Sequence, residues 1–250
     1  LHVRSRRQRQ MCIRDSSRDV KLPRCIRPVG ASGTARLLCL ADAAEHAGGC
    51  AIYAGYKVAD GSYSCRLIYA KSRLMRHSIP RNELEAILMA AEASLVVQKA
   101  LGDQVGDVLY FTDSSIALCW VLNDRKKLRM WCHNRVREIT NATRWVTGGV
   151  ASYPLYHIDG TSNLADLVTK PREICREDID ESSAWQTGLP WMSLPTDELP
   201  KTQMVHPPKE DEVDVFDQEA FPEVFLLGEA EDRQLLLDLG DTLDPPPIQI

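Results

Sequence analysis

Four acidic residues lie where predicted strands end or predicted helices begin. They are Asp42, Glu83, Asp113 and Asp166, with Glu85 as an alternative to Glu83 because both flank the apolar stripe of one helix. Asp42 and Asp113 each end an apolar run that is typical of a buried strand. If these two strands are neighbours in the sheet, their ends bring the carboxylates together. The pattern therefore predicts a cluster of acids at one edge of a sheet.

Such a cluster could carry metal-dependent chemistry. Like charges a few ångström apart raise one another's pKa unless cations neutralise them. Carboxylate oxygens without His or Cys select Mg²⁺ or Mn²⁺. Two such ions about 3.5–4 Å apart hold the attacking and leaving oxygens of an in-line phosphoryl displacement. The residues thus predict phosphodiester hydrolysis, although each acid taken singly is better explained as a surface charge, a helix cap or a partner of a helix dipole.

The first half of the chain predicts three strands, a helix and a fourth strand. Three apolar segments follow one another from Ala35 onwards and predict three strands. An Asp-Gly turn at residues 60–61 separates the second segment from the third. After Pro80, an Ala-rich segment places Leu84, Ile87, Leu88, Ala91 and Leu95 on one stripe, which predicts a helix. The run D-V-L-Y-F-T-D then predicts a buried strand that ends at Asp113.

The second half predicts two helices, a strand and a last helix. The helices are S-S-I-A-L-C-W-V-L, capped by Thr112, Asp113 or Ser114, and residues 131–145. The strand is S-Y-P-L-Y-H-I-D, and the last helix is T-S-N-L-A-D-L-V-T-K, opened by Ser162 or Asn163 and ended by Pro171. A meander followed by alternating strands and helices predicts an α/β fold with a mixed sheet flanked by helices.

Composition and charge restrict the class of protein. The 250 residues are 44% hydrophobic, which is enough for one sizeable core. Residues 1–27 carry a net charge of +7, residues 205–250 carry −11, and the middle is nearly neutral. A nearly neutral middle argues against nucleic-acid binding by bulk charge, so any such contact must be local. The apolar runs are too short for a membrane span, and we expect a protein of the cell interior that does not enter membranes.

Eight cysteines lack any C-x-x-C pair and match neither a disulfide framework nor a zinc site. We expect reduced, mostly buried thiols.

The two ends of the chain differ from the middle. The hexapeptide M-C-I-R-D-S at residues 11–16 resembles translated sequencing-adapter sequence, which predicts that residues 1–16 are not native. The first residue is Leu and not Met, and the last residues, P-P-P-I-Q-I, show no terminating feature, which predicts that the chain is a fragment. The predicted division is a basic segment 1–34, a domain 35–171, a Trp-containing extension 172–195 and an acidic, disordered linker 196–250.

Several aromatic and basic residues have two explanations. The tryptophans Trp120, Trp131 and Trp145 could stack on nucleic acid, but at helical positions they more often pack in a core. The basic residues between the second and third predicted helices are equally well a solvated loop or a contact to a nucleic-acid backbone; they are Arg125, Lys126, Lys127 and Arg129. His157 lies in a predicted strand and is interpreted as structural.

Four motifs in order resemble the ribonuclease H-like domain of BEL/Pao-type LTR retrotransposon polyproteins. They are A-D-A-A-E-H-A-G-G-C-A-I-Y, I-P-R-N-E-L-E-A, F-T-D-S and Y-H-I-D-G-T-S-N-L-A-D-L, within residues 35–171. L-P-R-C upstream resembles the segment that follows the reverse transcriptase, and W-Q-T-G-L-P-W-M downstream resembles the segment before the integrase. The family usually shows S-D-A-S and N-P-A-D where this chain has A-D-A-A and N-L-A-D, but both aspartates are kept.

The resemblance implies a fold, a site and an activity. The fold is ribonuclease H-like, with a mixed five-stranded sheet flanked by helices. The match to I-P-R-x-E-L selects Glu83 over Glu85, so the implied catalytic and metal-binding residues are Asp42, Glu83, Asp113 and Asp166. They would hold two Mg²⁺ or Mn²⁺ ions and hydrolyse the RNA strand of an RNA:DNA hybrid during reverse transcription. The implied neighbours are the reverse transcriptase and integrase parts of the polyprotein, in a cytoplasmic virus-like particle.

Two other functions are alternatives to the nuclease. One is a catalytically inactive module of a decayed element that only binds nucleic acid or connects its neighbours, since a fold alone does not prove activity. The presence of all four acids argues against it. An aspartic protease finds no support, because the chain has no D-T-G or D-S-G triplet.

Overall fold

The computed structural model describes residues 22–122, 128–147, 150–169 and 176–202. Its strands are Ser32–Ala43 (β1), Ala47–Lys57 (β2), Tyr63–Leu74 (β3), Val105–Thr112 (β4), Trp145–Thr147 (β5), Val150–Ser152 (β6) and Leu155–His157 (β7). Its α-helices are Ile79–Leu101 (α1), Ser115–Leu122 (α2), Met130–Thr143 (α3), Arg176–Ile179 (α4) and Ala184–Thr187 (α5). Short 3₁₀ helices are formed by Gly102–Gln104, Gly160–Ser162, Leu164–Val168 and Pro190–Ser193.

Five of these strands form a mixed sheet in the order β3-β2-β1-β4-β7. The first three are an antiparallel meander, as their short connections favour. β4 returns through α1 to pair parallel with β1, and β7 pairs parallel with β4. The predicted α/β class and the predicted mixed five-stranded sheet with helices are confirmed.

The two faces of the sheet bury different side chains because successive residues of a strand point to opposite faces. On β1, Leu37 and Cys39 belong to a core with α1, α2 and α3. Leu38 and Leu40 belong to a second core, which includes Phe111 of β4. That second face is covered by the 3₁₀ helix Leu164–Val168 and by the C-terminal segment, so the sheet is buried on both sides.

A buried arginine fixes the C-terminal segment to the sheet. Arg36 of β1 is 2% exposed, and its guanidinium donates to the carbonyl oxygens of Met192 (2.8 Å) and Leu194 (2.9 Å). It also donates to the Thr196 hydroxyl (3.1 Å) and lies 3.7 Å from the centre of the Tyr63 ring. A charged donor makes stronger hydrogen bonds than a neutral one. The segment is therefore held against β1 by specific bonds as well as by apolar contact.

The packed chain continues beyond the predicted start of the acidic linker at residue 196. Leu199 is 5% exposed, and the His157 amide donates to the Thr202 carbonyl at 2.7 Å. Residues 203–250 lie outside the described residues. The division of the chain into four parts stays a prediction; in the structure, Leu199 and the bond to Thr202 attach residues 196–202 to the domain.

Two predicted helices differ from the structure. The last predicted helix is the 3₁₀ helix Leu164–Val168, because the Asn163 side chain and i→i+3 bonds such as Thr169 N–H to Asp166 O set a tighter turn just before Pro171. The helix predicted to reach Trp145 ends at Thr143, and the two short strands β5 and β6 follow it. The β-branched residues that flank Gly148 and Gly149 are typical of such a pair, and this signal was missed.

Other predictions about single residue types have mixed outcomes. Trp120 is buried in the core, as predicted, whereas Trp131 packs only partly against it. The described cysteines are free thiols, and all of them except Cys25 and Cys119 are buried. Of the predicted basic cluster, Arg129 is exposed at the start of α3, and residues 125–127 lie outside the described residues. Within the described ranges, no helix combines the length and apolarity that crossing a membrane requires.

Candidate metal centre

Two of the four predicted acids meet because β1 and β4 are parallel neighbours. The register pairs Ala41 with Thr112, so the next residues, Asp42 and Asp113, leave the sheet side by side. Asp42 lies one residue before the end of β1, and Asp113 follows the last residue of β4. Ser114 then caps α2 by accepting from the Ala117 amide (3.3 Å). The strand register thus fixes the spacing of the two carboxylates.

The third acid, Glu83, is positioned by the residue before it. Asn82 is fully buried, and its amide donates to the carbonyl oxygens of Ala44 and Glu45 in the β1–β2 turn, both at 3.1 Å. Its side-chain oxygen accepts from the His77 amide (3.1 Å) just before α1. These bonds tie the start of α1 to the end of β1. Glu83, the fifth residue of the helix, consequently lies over Asp42.

Asp42, Glu83 and Asp113 form one compact group. Each offers a carboxylate oxygen, and these oxygens all lie within 4.8 Å of one another. Asp42 is 4% exposed and Glu83 is 8% exposed. The Oε2 atom of Glu83 is buried without a hydrogen-bond partner among the described residues. Buried polar atoms are nearly always satisfied, so an unsatisfied one here calls for an explanation.

The electrostatics of the group favour the binding of cations. Burial, as the largest cause, and the negative charges of Asp42 and Asp113 together raise the pKa of Glu83 to about 9. Burial also raises the pKa of Asp113, against the lowering effect of its hydrogen bond from Asn163. The donor set, which consists of oxygens alone, fits a hard divalent cation.

Asp166 lies outside the compact group of three. It belongs to the 3₁₀ helix Leu164–Val168, and its charge still raises the pKa of both Glu83 and Asp113. This helix packs closely on β2 because Gly49, the partner of Asp42 in the strand register, has no side chain. A Cβ at Gly49 would lie 2.6 Å from a methyl carbon of Val168. The structure therefore brings Asp166 beside the three acids without placing it among them.

Two residues hold the acids in place in a way that the sequence did not predict. Asn163, predicted only as a helix cap, does accept from the Ala165 amide, but it also donates to the Ala41 carbonyl (2.9 Å) and the Asp113 carboxylate (3.2 Å). The Thr169 hydroxyl donates to the Asp42 carboxylate. No pattern in the sequence singles out Thr169, because its partner is distant in the chain.

His157 contacts the same site from β7. Its Nε2 atom lies 3.1 Å from the Asp113 carbonyl oxygen and 3.3 Å from the Ser115 hydroxyl. These contacts agree with the structural role predicted for it. Gly160 lies on the other side of Asp113, where a Cβ would come within 3.0 Å of the carboxylate. Because Gly160 has no side chain, the Asp113 carboxylate can occupy this position without a steric clash.

Glu85, the alternative to Glu83, points elsewhere. It pairs with Arg73 and with Arg135, the latter at 2.8 Å. Arg135 and Arg81 each lie about 5 Å from the centre of the Trp131 ring, on the same side of the molecule as Glu85. Glu85 is thus part of a surface of arginines and tryptophan at the start of α1. Only Glu83 joins the acids.

Comparisons with known proteins give family and structural similarities. No curated protein sequence matches this chain. The structure is similar to that of RNase H1 from the halophilic archaeon Halobacterium salinarum NRC-1, with 14% identity, a TM-score of 0.36, and 54% of this chain and 94% of that chain covered. It is also similar to the N-terminal RNase H domain of a Mycobacterium tuberculosis protein, with 12% identity, a TM-score of 0.36, and coverage of 54% and 91%. A third similar structure is LC11-RNase H1, isolated from compost, with 16% identity, a TM-score of 0.37, and coverage of 55% and 93%.

The sequence matches one family model, described as the Pao retrotransposon-like RNaseH-like domain, over residues 5–114. This range contains Asp42, Glu83 and Asp113, whereas Asp166 lies beyond its end. It starts earlier than the predicted resemblance, inside the stretch 1–16 that was predicted not to be native, and it ends before residue 171. The predicted resemblance to the ribonuclease H-like domain of Pao retrotransposons is confirmed. Residues 5–114 of this chain are thus similar to the Pao retrotransposon-like RNaseH-like domain.

Proposed function

We propose that this domain is a metal-dependent endonuclease of ribonuclease H type, which hydrolyses the RNA strand of RNA:DNA hybrids during retrotransposon reverse transcription. The observation that carries the proposal is the convergence of Asp42, Glu83 and Asp113 within 4.8 Å, with one Glu83 oxygen buried and unsatisfied. Three acids from distant parts of the chain are brought together at a cost in electrostatic repulsion. Cation binding offsets that cost.

The residues that would hold two Mg²⁺ or Mn²⁺ ions are Asp42, Glu83, Asp113 and Asp166. Asp166 is included because its charge already acts on Glu83 and Asp113. Bound ions of this kind lower the pKa of an attacking water and neutralise charge on the leaving oxygen. The protein orients the carboxylates: Thr169 holds Asp42, and Asn163 holds Asp113.

Hybrid binding would need local positive charge, because the middle of the chain is nearly neutral. The surface formed by Arg81, Trp131 and Arg135 supplies cations beside an aromatic ring at the start of α1, the same helix end that carries Glu83. Basic and aromatic side chains together suit a nucleic-acid backbone and its bases. We assign the basic residues Arg125, Lys126, Lys127 and Arg129 the same role. Recognition would follow duplex shape and the 2′-hydroxyl more than sequence.

The family also suggests the setting in which the nuclease works. As part of a retrotransposon polyprotein, the domain would lie between reverse transcriptase and integrase and act in the cytoplasm, within a virus-like particle. The C-terminal segment fixed by Arg36 would then form the junction towards the integrase side.

Cleavage of a labelled hybrid tests the proposal. The full chain is incubated with Mg²⁺ and with Ca²⁺, beside Asp113→Asn and the control Asp107→Asn, which changes an exposed acid on the same strand. We expect cleavage of the RNA strand with Mg²⁺ by the parent and the control. Asp113→Asn, which keeps the shape of the side chain, should lose activity by several orders of magnitude while keeping its fold.

The competing function is a catalytically inactive module. Equal cleavage by Asp113→Asn and the parent refutes the assigned site. Absence of cleavage by a folded parent, together with binding of the hybrid, establishes the inactive module instead.

A further inference from the structure

A cavity of about 480 Å³ lies beside the metal centre, between β7, the start of α2 and the C-terminal segment. One wall carries Ser115, His157, Asp159 and Ser162. The rest of the lining comes from the C-terminal segment, with Trp191 and Glu198, and the Trp191 indole donates to the Ser162 carbonyl oxygen (3.3 Å). None of the proposed metal ligands lines the cavity, so it is a separate feature of the molecule.

The cavity and the metal centre share a wall. His157 and Ser115, which line the cavity, contact each other, and His157 also lies 3.1 Å from the Asp113 carbonyl. Gly160, which follows the lining residue Asp159, lies against the carboxylate of Asp113. If a nucleic-acid strand binds with one phosphodiester at Asp113, the nucleotide next to that phosphodiester therefore lies beside the cavity.

The lining favours hydrogen-bond donors over phosphate. Among the described residues that form the cavity, none is Lys or Arg, and two, Asp159 and Glu198, are acids. Carboxylates accept hydrogen bonds from base amino groups and ribose hydroxyls, and they repel phosphate oxygens. The Trp191 ring adds an apolar surface of the kind on which bases stack. This chemistry suits the nucleoside part of a nucleotide.

The size of the cavity limits what can enter. Its volume is in the range of sites for small molecules and matches one nucleoside, not a duplex. A base that enters must leave its partner strand, as bases do when proteins read them individually.

We propose that this cavity binds one unpaired nucleoside of the RNA strand next to the phosphodiester at the metal centre. The proposal rests on the nuclease function proposed above. It assigns the C-terminal segment a role in the site: Arg36 and the pairing of Thr202 with His157 hold the wall that carries Trp191 and Glu198. The domain would then favour hybrids that have an unpaired ribonucleotide at this position.

Nucleoside binding, measured without metal, tests the cavity independently of catalysis. The full chain in EDTA is titrated with adenosine, guanosine, cytidine and their 5′-monophosphates, with binding followed by ligand-observed NMR. We expect nucleosides to bind in the millimolar range and more tightly than the monophosphates. Glu198→Gln should weaken nucleoside binding about tenfold. The control Asp197→Asn changes an exposed neighbour that does not line the cavity, and it should bind like the parent.

The results separate this inference from the nuclease function. Failure of any nucleoside to bind, or equal binding by Glu198→Gln and the parent, overturns the subsite even when hybrids are cleaved. On hybrids with one unpaired ribonucleotide, Glu198→Gln should cleave about tenfold more slowly than the parent, whereas the control Asp197→Asn should cleave them at the rate of the parent. If no hybrid is cleaved, nucleoside binding by Asp113→Asn still decides whether the subsite exists.

Discussion

Replacing Glu83 by Gln should stabilise the metal-free protein. The carboxyl of Glu83 is buried beside Asp42 and Asp113, and its pKa is raised to about 9. Gln has nearly the same shape as a protonated Glu and never ionises. The substitution therefore removes the cost of keeping a proton on this side chain in the folded state, and it leaves packing intact.

The size of the effect follows from proton linkage. The unfolded chain releases the Glu83 proton near the ordinary value of 4.5, whereas the folded chain keeps it up to about pH 9. Stability from this raised pKa is complete below the unfolded value and is lost as pH rises towards the folded value. Each unit corresponds to about 1.4 kcal/mol, so the advantage of Glu83→Gln over the parent should grow by about 2–3 kcal/mol between about pH 5 and pH 7.

Denaturant unfolding in EDTA measures this difference. The free energy of unfolding is determined for the parent, for Glu83→Gln and for the control Glu85→Gln at both pH values. Glu85 lies two residues away on the same helix but pairs with Arg73 and Arg135, so its loss should give no gain that grows with pH. Addition of Mg²⁺ should then stabilise the parent and not Glu83→Gln, because the variant lacks a ligand.

The reasoning is wrong if Glu83→Gln is no more stable than the parent at pH 7, or if its advantage is the same at both pH values. The first result would mean that Glu83 is ionised and satisfied in the folded protein without metal. The second would mean that the gain comes from packing and not from the proton.

Three further substitutions test the contacts that build the site. Arg36→Met should lower the free energy of unfolding by about 2–4 kcal/mol, because it leaves buried carbonyl oxygens unsatisfied, and limited proteolysis should show early release of residues 190–202. Asn82→Ala should cost about 2–4 kcal/mol in thermal unfolding and should weaken stabilisation by Mg²⁺, because the start of α1 is no longer tied to the β1–β2 turn. Arg81→Ala should weaken hybrid binding and reduce the slope of log affinity against log salt concentration by about 1 if Arg81 contacts a phosphate, as filter binding over a salt series can measure.

The pairing of Asp42 with Asp113 could be predicted because it depends on strands alone. Both residues end apolar runs, and parallel neighbours place such ends at one edge of a sheet. The choice between Glu83 and Glu85 could not be made from periodicity, since both flank the same stripe. The motif made that choice, and the structure agrees because Glu83 joins the acids while Glu85 pairs with arginines.

Other parts of the site depend on contacts between distant residues. The bond from Thr169 to Asp42 and the bonds from Arg36 to residues 192–196 join positions more than 100 residues apart, and no local pattern marks them. The helix predicted around Asp166 failed for a related reason. The Asn163 side chain, which caps this segment, also donates to Ala41 and Asp113. Because Pro171 follows closely in the sequence, the segment is short, and it forms a tight 3₁₀ turn in place of an α-helix.

Binding of Mn²⁺ tests the central claim most directly. Electron paramagnetic resonance measures free Mn²⁺ as the full chain is added, for the parent, for Asp113→Asn and for the control Asp107→Asn. We expect the parent and the control to bind Mn²⁺ with the same affinity and Asp113→Asn to bind it at least about tenfold more weakly. Equal binding of Mn²⁺ by Asp113→Asn and the parent would contradict the assignment of the three converging carboxylates as a metal centre.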